Sequence, residues 1–438
     1  MFRPRRYSMT VLLLAVALSV PTAALAQELN RVDRERVLAM LNNLRSELKK
    51  NYFDPNYKGI DMETRFKQAE EKARQAKSLG QAVSEVAWAL DGLNDSHTFL
   101  LPPERTLEPD YGWVMEMIGD ACFITAVHPK SDAEAKGVKP GDRILKLNGY
   151  PVTRPDIWKM KYFFNVLKPQ PALRLDLRSP DGTTKTVQAN ARMRPGSITV
   201  DLTREIYIYD DRDRDPRWVE MGEELMIWEM PDFGISESMV DGIMDKARQH
   251  KALIIDMRRN PGGYVKTANR LVSNFFEHEV KILERVGRKE FAKDLKPDIA
   301  KPRRNIFTGK LIVLVGAPSA SAAEIVARVM QIEKRGMVIG DVTSGHVMQS
   351  RRYGYQVGVD KGVIFYGASI TMADLIMADG KSLEHVGVTP DKLMLPTAAD
   401  MAAGRDPVLA HAAELCGVKL TPDAAGKLFP VRWKKPSP

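Results

Sequence analysis

The spacing of hydrophobic positions changes three times along the chain, and each change predicts a different kind of structure. From Val32 to Leu48 the apolar residues Val37, Leu38, Leu41, Leu44 and Leu48 recur at helical intervals. Asp54-Pro55-Asn56-Tyr57 breaks that rhythm. Met62 to Ala76 and Leu79 to Leu90 resume it, so residues 28–90 predict a small helical bundle. The bundle ends in the polar turn Leu93-Asn94-Asp95-Ser96-His97-Thr98, followed by Phe99-Leu100-Leu101 and two prolines. Residues 111–195 read differently. Tyr111 to Met117, Ala121 to Val127, Arg143 to Leu147, Leu173 to Leu177 and Thr184 to Ala189 are short apolar or alternating runs. Turns rich in Gly, Pro and Asp separate them, as expected of strands.

From 200 to 400 the pattern becomes α/β. Glu205 to Tyr209 and Leu225 to Met230 are strand candidates, with the alternating charges of Asp210 to Arg217 between them as a solvated loop. Ser236 to His250 predicts an amphipathic helix, Ala252 to Asp256 a buried strand, and Met257-Arg-Arg-Asn-Pro-Gly-Gly263 a turn into a helix that runs through Phe276. The same strand–turn–helix unit recurs from Leu311 to Met330. A third strand, Met337 to Gly340, leads into Asp341-Val-Thr-Ser-Gly-His346. Such alternation predicts a partly parallel sheet with its polar turns gathered at one edge. Ala398 to Leu415 reads as one outer helix with Arg405-Asp406-Pro407 near its middle, and the tail from Arg432 reads as loose.

The small-residue turn Gly316-Ala-Pro-Ser-Ala-Ser-Ala-Ala-Glu324 places two serines where a strand turns into a helix. A helix N-terminus there favours developing negative charge. Ser321 is read as a nucleophile. On this stretch alone a helix-capping serine fits equally well. Ser319 reads as a capping or packing serine, and Glu324 as an acid at a helix start.

Composition narrows the class. At 438 residues the chain exceeds one ordinary core, and 44% hydrophobic with 28% charged residues is the balance of a soluble globular protein. Arg3, Arg5 and Arg6, the apolar run Met9 to Val20 and the small-x-small site Ala24-Leu25-Ala26 form a secretory signal peptide, which predicts export to the periplasm or beyond the cell. No later stretch is apolar enough to span a membrane. Loss of that segment removes three arginines and no acid, so the formal charge falls from +9 to +6. A mildly basic exported protein needs no nucleic-acid partner. An oxidising compartment permits a bridge between Cys122 and Cys416, and two buried free thiols fit equally. Asn260-Pro-Gly-Gly263 lacks the ending of a phosphate loop, and the seven histidines lack metal spacing, so no cofactor or metal is expected. No pattern bears on oligomeric state.

Several motifs together carry a resemblance. Ser131 to Val152 reads as a short helix, a Gly137 cap, a Pro140-Gly141-Asp142 turn, a strand and an Asn148-Gly149 hairpin. It closely resembles a PDZ domain, whose peptide-binding loop would be Tyr111-Gly112-Trp113-Val114, although this loop departs from the usual Gly-Leu-Gly-Phe type. Leu253 to Gly263, Ser319 to Glu324 and Leu383-Glu-His-Val-Gly-Val-Thr-Pro-Asp391 resemble motifs of the C-terminal processing peptidases, or tail-specific proteases, a family that includes the tricorn core protease. The resemblance implies a multidomain α/β protein. Its parts would be a signal peptide (1–26), an N-terminal helical domain carrying the Ser-His loop (27–104), a PDZ domain (105–198), an α/β peptidase core of ClpP/crotonase-like type (199–400) and a C-terminal helix and tail (401–438).

The family divides by its general base. One branch uses a lysine in a Gly-Lys-Gly turn that matches Ser344-Gly345-His346-Val347, and here His346 stands at the lysine position. The tricorn-like branch has a Ser-His pair in an N-terminal loop, the nucleophile, and a Glu in Glu-x-x-Gly-x-x-Pro-Asp. This chain has Ser96-His97, Ser321 and Glu384. The resemblance implies His97 as base for Ser321, with Glu384 and Ser96 orienting it. It implies the N–H groups of Gly263 and Ala322 as the oxyanion donors. His346 is the alternative base. The expected function is exported serine endopeptidase action on unfolded or tail-exposed polypeptides, its partners being those substrates. A non-catalytic ligand- or peptide-binding protein on the same fold is the alternative.

Overall fold

The computed structural model describes residues 29–103, 107–195, 212, 214–358 and 362–433. The signal segment, the strand expected at 205–209 and residues 434–438 of the tail lie outside the described residues.

The central sheet runs Arg217–Met221, Leu225–Glu229, Ala252–Asp256, Lys310–Val315, Met337–Gly340 and Lys392–Leu393. Its first pair is antiparallel and the rest are parallel. Successive side chains of each strand enter different cores. Met226, Trp228, Leu253, Ile255 and Val313 meet the helices Glu237–Ala247, Val265–Val272 and Ala322–Ile332 on one face. Leu225, Ile227, Ile254, Ile312 and Leu314 meet Pro407–Leu415 on the other. Burial on both faces is why these strands read as continuous apolar runs.

A second, antiparallel sheet joins Val280–Gly287, Asp298–Ala300 and the long hairpin Met348–Val357 and Ile364–Met377. Its edge is closed by Phe99–Leu101, which pairs with Gly367 to Ser369. That short strand threads the N-terminal segment into the core. The helices Arg31–Asn51, Met62–Gln75 and Leu79–Asp91 bury Leu41, Leu44, Phe66 and Leu90 against Tyr366, Ala368 and Ile370 of the hairpin.

Residues 113–190 form the sheet Trp113–Ile118, Ala121–Val127, Arg143–Leu147, Ala172–Arg178 and Thr184–Asn190, its strands within a residue or two of those expected. Sequence patterning did not signal the helix Ile157–Lys161, which runs on through a π-helical turn, Tyr162–Leu167, across from the sheet's edge. This unit is tied to the core by Arg154. Its guanidinium donates to Asp341 Oδ2 at 2.8 Å, to the Val342 carbonyl at 2.8 Å and to the Gly119 carbonyl at 2.7 Å. Cys122 lies in this unit's core, Cys416 is half-buried beside the central sheet, and both are free thiols.

The outer helix expected from Ala398 to Leu415 is two helices, Ala398–Ala402 and Pro407–Leu415. Pro407 has no N–H to give a preceding turn, so it opens a helix rather than sitting inside one. The Asp406 carboxylate caps it, accepting the Leu409 N–H at 2.9 Å.

Candidate active site

The turn after Lys310–Val315 is built by hydrogen bonds that bend the chain sharply. Ser319 Oγ accepts the Gly316 N–H at 2.9 Å and donates to the Met257 carbonyl at 2.6 Å. Ala320 N–H donates to the Asn260 carbonyl at 3.0 Å, which binds the turn to the loop after Ala252–Asp256. Ser321 then adopts φ +53° and ψ −118°, a conformation rarely populated by a residue with a Cβ. Its N–H holds it there, donating to the His346 carbonyl and to Glu324 Oε2, each at 3.0 Å.

Gly262, at φ +101°, lies flush against this turn. A Cβ on it would come 2.7 Å from Ser321 Cβ and 3.0 Å from Ala322 N. The Gly262 N–H is committed to Asn260 Oδ1 at 2.8 Å. Among the described residues, no acceptor takes the N–H of Gly263 or of Ala322. Ala322 follows Ser321 along the chain, and Gly263 follows the glycine that packs on it.

The second half of the site comes from the N-terminal loop. Asp95 Oδ1 accepts the His97 N–H at 2.9 Å and the Thr371 hydroxyl at 2.7 Å. Ser96 binds Glu384 twice, N–H to Oε1 and Oγ to Oε2, both at 2.9 Å. Ser96 Oγ also lies 2.7 Å from His97 Nδ1. With its hydroxyl proton given to the carboxylate, Ser96 Oγ accepts from Nδ1–H, which leaves Nε2 as the basic nitrogen. Glu384 Oε2 additionally accepts the Val347 N–H at 2.9 Å, one residue from the His346 carbonyl that holds Ser321. Ser96, His97, Ser321, Glu384 and His346 are thus brought into one connected cluster.

Burial sets the electrostatics. Desolvation pushes the His97 pKa down to about 4, with Asp95 opposing the shift and Arg352 adding to it. Desolvation likewise lowers His346 to about 3, reinforced by His97 and His385. Glu384 is raised by burial and by the charge of Asp95, against the donors Ser96 and Val347. Both histidines are therefore neutral at physiological pH.

Glu324 is more than the helix-start acid its position suggests. It is fully buried and accepts four hydrogen bonds, from Ser321 N–H, the Thr343 hydroxyl, Gly345 N–H and His346 N–H. Its Ser-x-x-Glu spacing is that of a capping box, which signals the bond from Ser321 N–H but not the reach to residues 343–346. Burial raises its pKa to about 7 in spite of those donors.

A cavity of about 160 Å³ runs from the edge of Trp113–Ile118, past Trp158, to Ala320, Ser344 and His346. Tyr111, Trp113 and Val114 line it. Gly112, at φ +76°, stands behind, its N–H taken by Asp110 at 2.9 Å. No group of three or more potential metal-ligating side chains occurs among the described residues, and no described helix is long and apolar enough to cross a membrane.

The family model for Peptidase family S41 matches residues 227–394, and that for the PDZ domain matches residues 110–155. The carboxy-terminal processing protease CtpA of Bacillus subtilis is 28% identical over 293 residues, which is 66% of this chain and 56% of that protein. The carboxyl-terminal-processing protease of Picosynechococcus is 23% identical over 339 residues, 73% of this chain and 75% of that protein. The match thus spans little more than half the length of the first relative. The fold is also similar to that of mature CPAF complexed with lactacystin, with a TM-score of 0.61 at 16% identity over 84% of this chain and 95% of that one.

Proposed function

We propose that this chain, which carries a peptidase family S41 domain behind a PDZ domain, is an exported serine endopeptidase cleaving unfolded or tail-exposed polypeptides through an acyl-enzyme at Ser321. The observation that supports it most is the relay Glu384–Ser96–His97, held by Val347 next to the carbonyl that positions Ser321. His97 Nε2 takes the Ser321 hydroxyl proton as Oγ attacks the peptide carbonyl. The oxyanion is met by Gly263 and Ala322. His97 returns the proton to the leaving amine, and water repeats the sequence on the ester. Glu384 stabilises the imidazolium through Ser96, as the third member of a triad does. The hydroxyl between them lets one serine relay orientation without carrying charge.

His97 rather than His346 is the base in this reading. The His97 ring is engaged by Ser96 Oγ, which Glu384 holds in turn, and the His346 carbonyl accepts the Ser321 N–H. A carrier function would leave that relay and the strained serine without a purpose. The basic, apolar and small-residue pattern of residues 1–26 supports export, and the groove beside Trp113–Ile118 supports an extended polypeptide as substrate.

Ser321→Ala is expected to abolish cleavage of a denatured protein and labelling by a fluorophosphonate probe while the circular dichroism spectrum is unchanged. His97→Ala is expected to be nearly as severe. Cleavage by Ser321→Ala at the wild-type rate would falsify the mechanism.

A further inference from the structure

We propose that Asp406, on the C-terminal side of the peptidase core, is a positioning residue for the oxyanion donors, acting through Arg258 on the loop that carries Gly262 and Gly263. The inference rests on the serine-peptidase reading above. The main chain of residues 257–262 is the socket of the nucleophile turn. The Met257 carbonyl accepts the Ser319 hydroxyl at 2.6 Å, and the Asn260 carbonyl accepts the Ala320 N–H at 3.0 Å. The Arg258 carbonyl lies so near the start of the turn that a Cβ on Gly316 would come 2.8 Å from it. The position of this loop therefore sets the place of Ser321 as well as that of the Gly263 N–H.

Consecutive side chains anchor the loop. Asn260 Nδ2 donates to the Met230 carbonyl at 3.0 Å, and Arg259 donates to Glu229 at 2.7 Å. Arg258 is shared between carboxylates. Its Nε donates to Asp256 Oδ1 at 2.9 Å and its Nη2 to Asp256 Oδ2 at 2.5 Å. Its Nη1 and Nη2 donate to Asp406 Oδ1 and Oδ2 at 3.0 and 2.7 Å. Parallel bonds to one carboxylate fix the plane of the guanidinium as well as its place. Asp256 ends the strand from which the loop departs, so it moves with the loop. Asp406 does not, and it lies beyond residue 394, where the peptidase match ends. Its N–H donates to the Pro422 carbonyl at 2.9 Å, and its Oδ1 caps Pro407–Leu415. That helix buries Val408, Leu409, Ala412 and Ala413 against the central sheet. The carboxylate is thus set in place without Arg258 and gives the loop a fixed point. Burial opposes the ionised form of Asp256, and the Arg258 charge outweighs it, holding that carboxyl below its ordinary range. Loss of Asp406 consequently leaves Arg258 a charged partner, and the loop loses its registration rather than its fold.

The test uses Asp406→Asn, which keeps the helix cap and removes the charge. Its kcat for a peptide substrate is expected to fall roughly tenfold or more with KM within about twofold, because a contact made in the transition state is what weakens. A peptide boronic acid, whose tetrahedral adduct on Ser321 places an oxygen among the oxyanion donors, should lose affinity by a matching factor. Arg258→Lys keeps the charge and gives up the two-pronged contact, so it should repeat the kcat loss, and it carries the prediction if the Asp406 variant does not fold. Asp400→Ala, which removes the neighbouring pair with Arg405 at 2.8 Å, is the control. It should lower stability in urea and leave kcat and boronate affinity within about twofold of wild type. Folded Asp406→Asn and Arg258→Lys with kcat and boronate affinity within about twofold of wild type overturn the proposal and leave the pair a fastening for the helix. So does a rise in KM at unchanged kcat, or an equal loss of kcat in Asp400→Ala, which would trace the effect to stability alone. Wild type that neither cleaves peptide nor is labelled by a fluorophosphonate removes the peptidase reading itself, and the proposal with it.

Discussion

Ser321 is held in a conformation that costs on the order of 1–3 kcal/mol, and the surrounding contacts sustain it. Gly262 is the most constraining of those contacts. Gly262→Ala adds a Cβ 2.7 Å from that of Ser321 at φ +101°, so the turn must move. We expect loss of at least about 1–3 kcal/mol in chemical denaturation and a fall of about a hundredfold or more in kcat, since misplacement of a reacting group by ~1 Å is that costly. Gly149→Ala is the control. It strains φ +87° with nothing within 4 Å, so it should lower stability modestly and spare turnover. His97 makes the second prediction at this scale. Its pKa of about 4 lies below the ordinary 6.5, so the free enzyme keeps its base neutral down to that region. The acid limb of kcat/KM should fall near pH 4 rather than near 6.5. Around the ring stand Asp95, Glu384, Arg352 and His346. Asp95→Asn removes a charge that opposes the burial shift, so the limb should move lower still. Arg352→Ala should move it up. A limb that stays at its wild-type pH in both variants would remove these charges from the account.

At the scale of elements, one loop unites the site. Residues 341–347 receive Arg154 at one end, donate three hydrogen bonds to Glu324 in the middle, and reach Glu384 through Val347 at the other. Each Glu324 oxygen accepts two donors, so Glu324→Gln turns an amide N–H₂ toward two of them. Leaving buried donors unmet costs about 1–3 kcal/mol, and we expect kcat to fall roughly tenfold or more as the Ser321 turn relaxes. The linkage has a definite sign. Glu324 titrates near 7 in the folded chain against 4.5 ordinarily, so the folded state holds a proton that the unfolded state releases. Its contribution is fully present below about 4.5 and is lost as pH rises to about 7. The stability difference between wild type and Glu324→Gln should therefore shrink across that window in urea titrations. A constant difference would mean that Glu324 stays ionised throughout. The sequence pattern disclosed the strands and helices that flank this loop, because each has a period of its own. It did not disclose the role of Glu324, because an acid three residues into a helix looks the same whether it caps the helix or clamps a distant loop.

Across the whole molecule, the site depends on two long-range attachments, and these were the least legible part of the sequence. The Ser96-His97 pair and the Glu384 motif were readable as residues, but no local pattern says that Phe99–Leu101 closes a sheet edge against Gly367 to Ser369. Nor does the spacing of the β-rich unit show the helix at Ile157–Lys161, five residues that complete no amphipathic repeat until the chain folds back. Arg154 and Asp341 form the other attachment. The Asp341 side chain is 7% exposed and that of Arg154 is 26% exposed, so the pair is largely shielded from solvent. Removing the arginine leaves the carboxylate with the N–H groups of Gly119 and Val342. Arg154→Ala is expected to destabilise by about 2–4 kcal/mol, since an uncompensated buried charge is costlier than a missing pair. A cycle with Asp341→Asn should show a coupling of about 1–3 kcal/mol. Because Arg154 also donates to the Val342 carbonyl, the arginine variant should lower kcat/KM for peptides more than Asp341→Asn does. Hydrogen exchange should then quicken at Trp113–Ile118 and at residues 341–347 together. Quickening at the strand alone, with kcat/KM unchanged, would show that the β-rich unit is docked on the core without bearing on the geometry around Ser321.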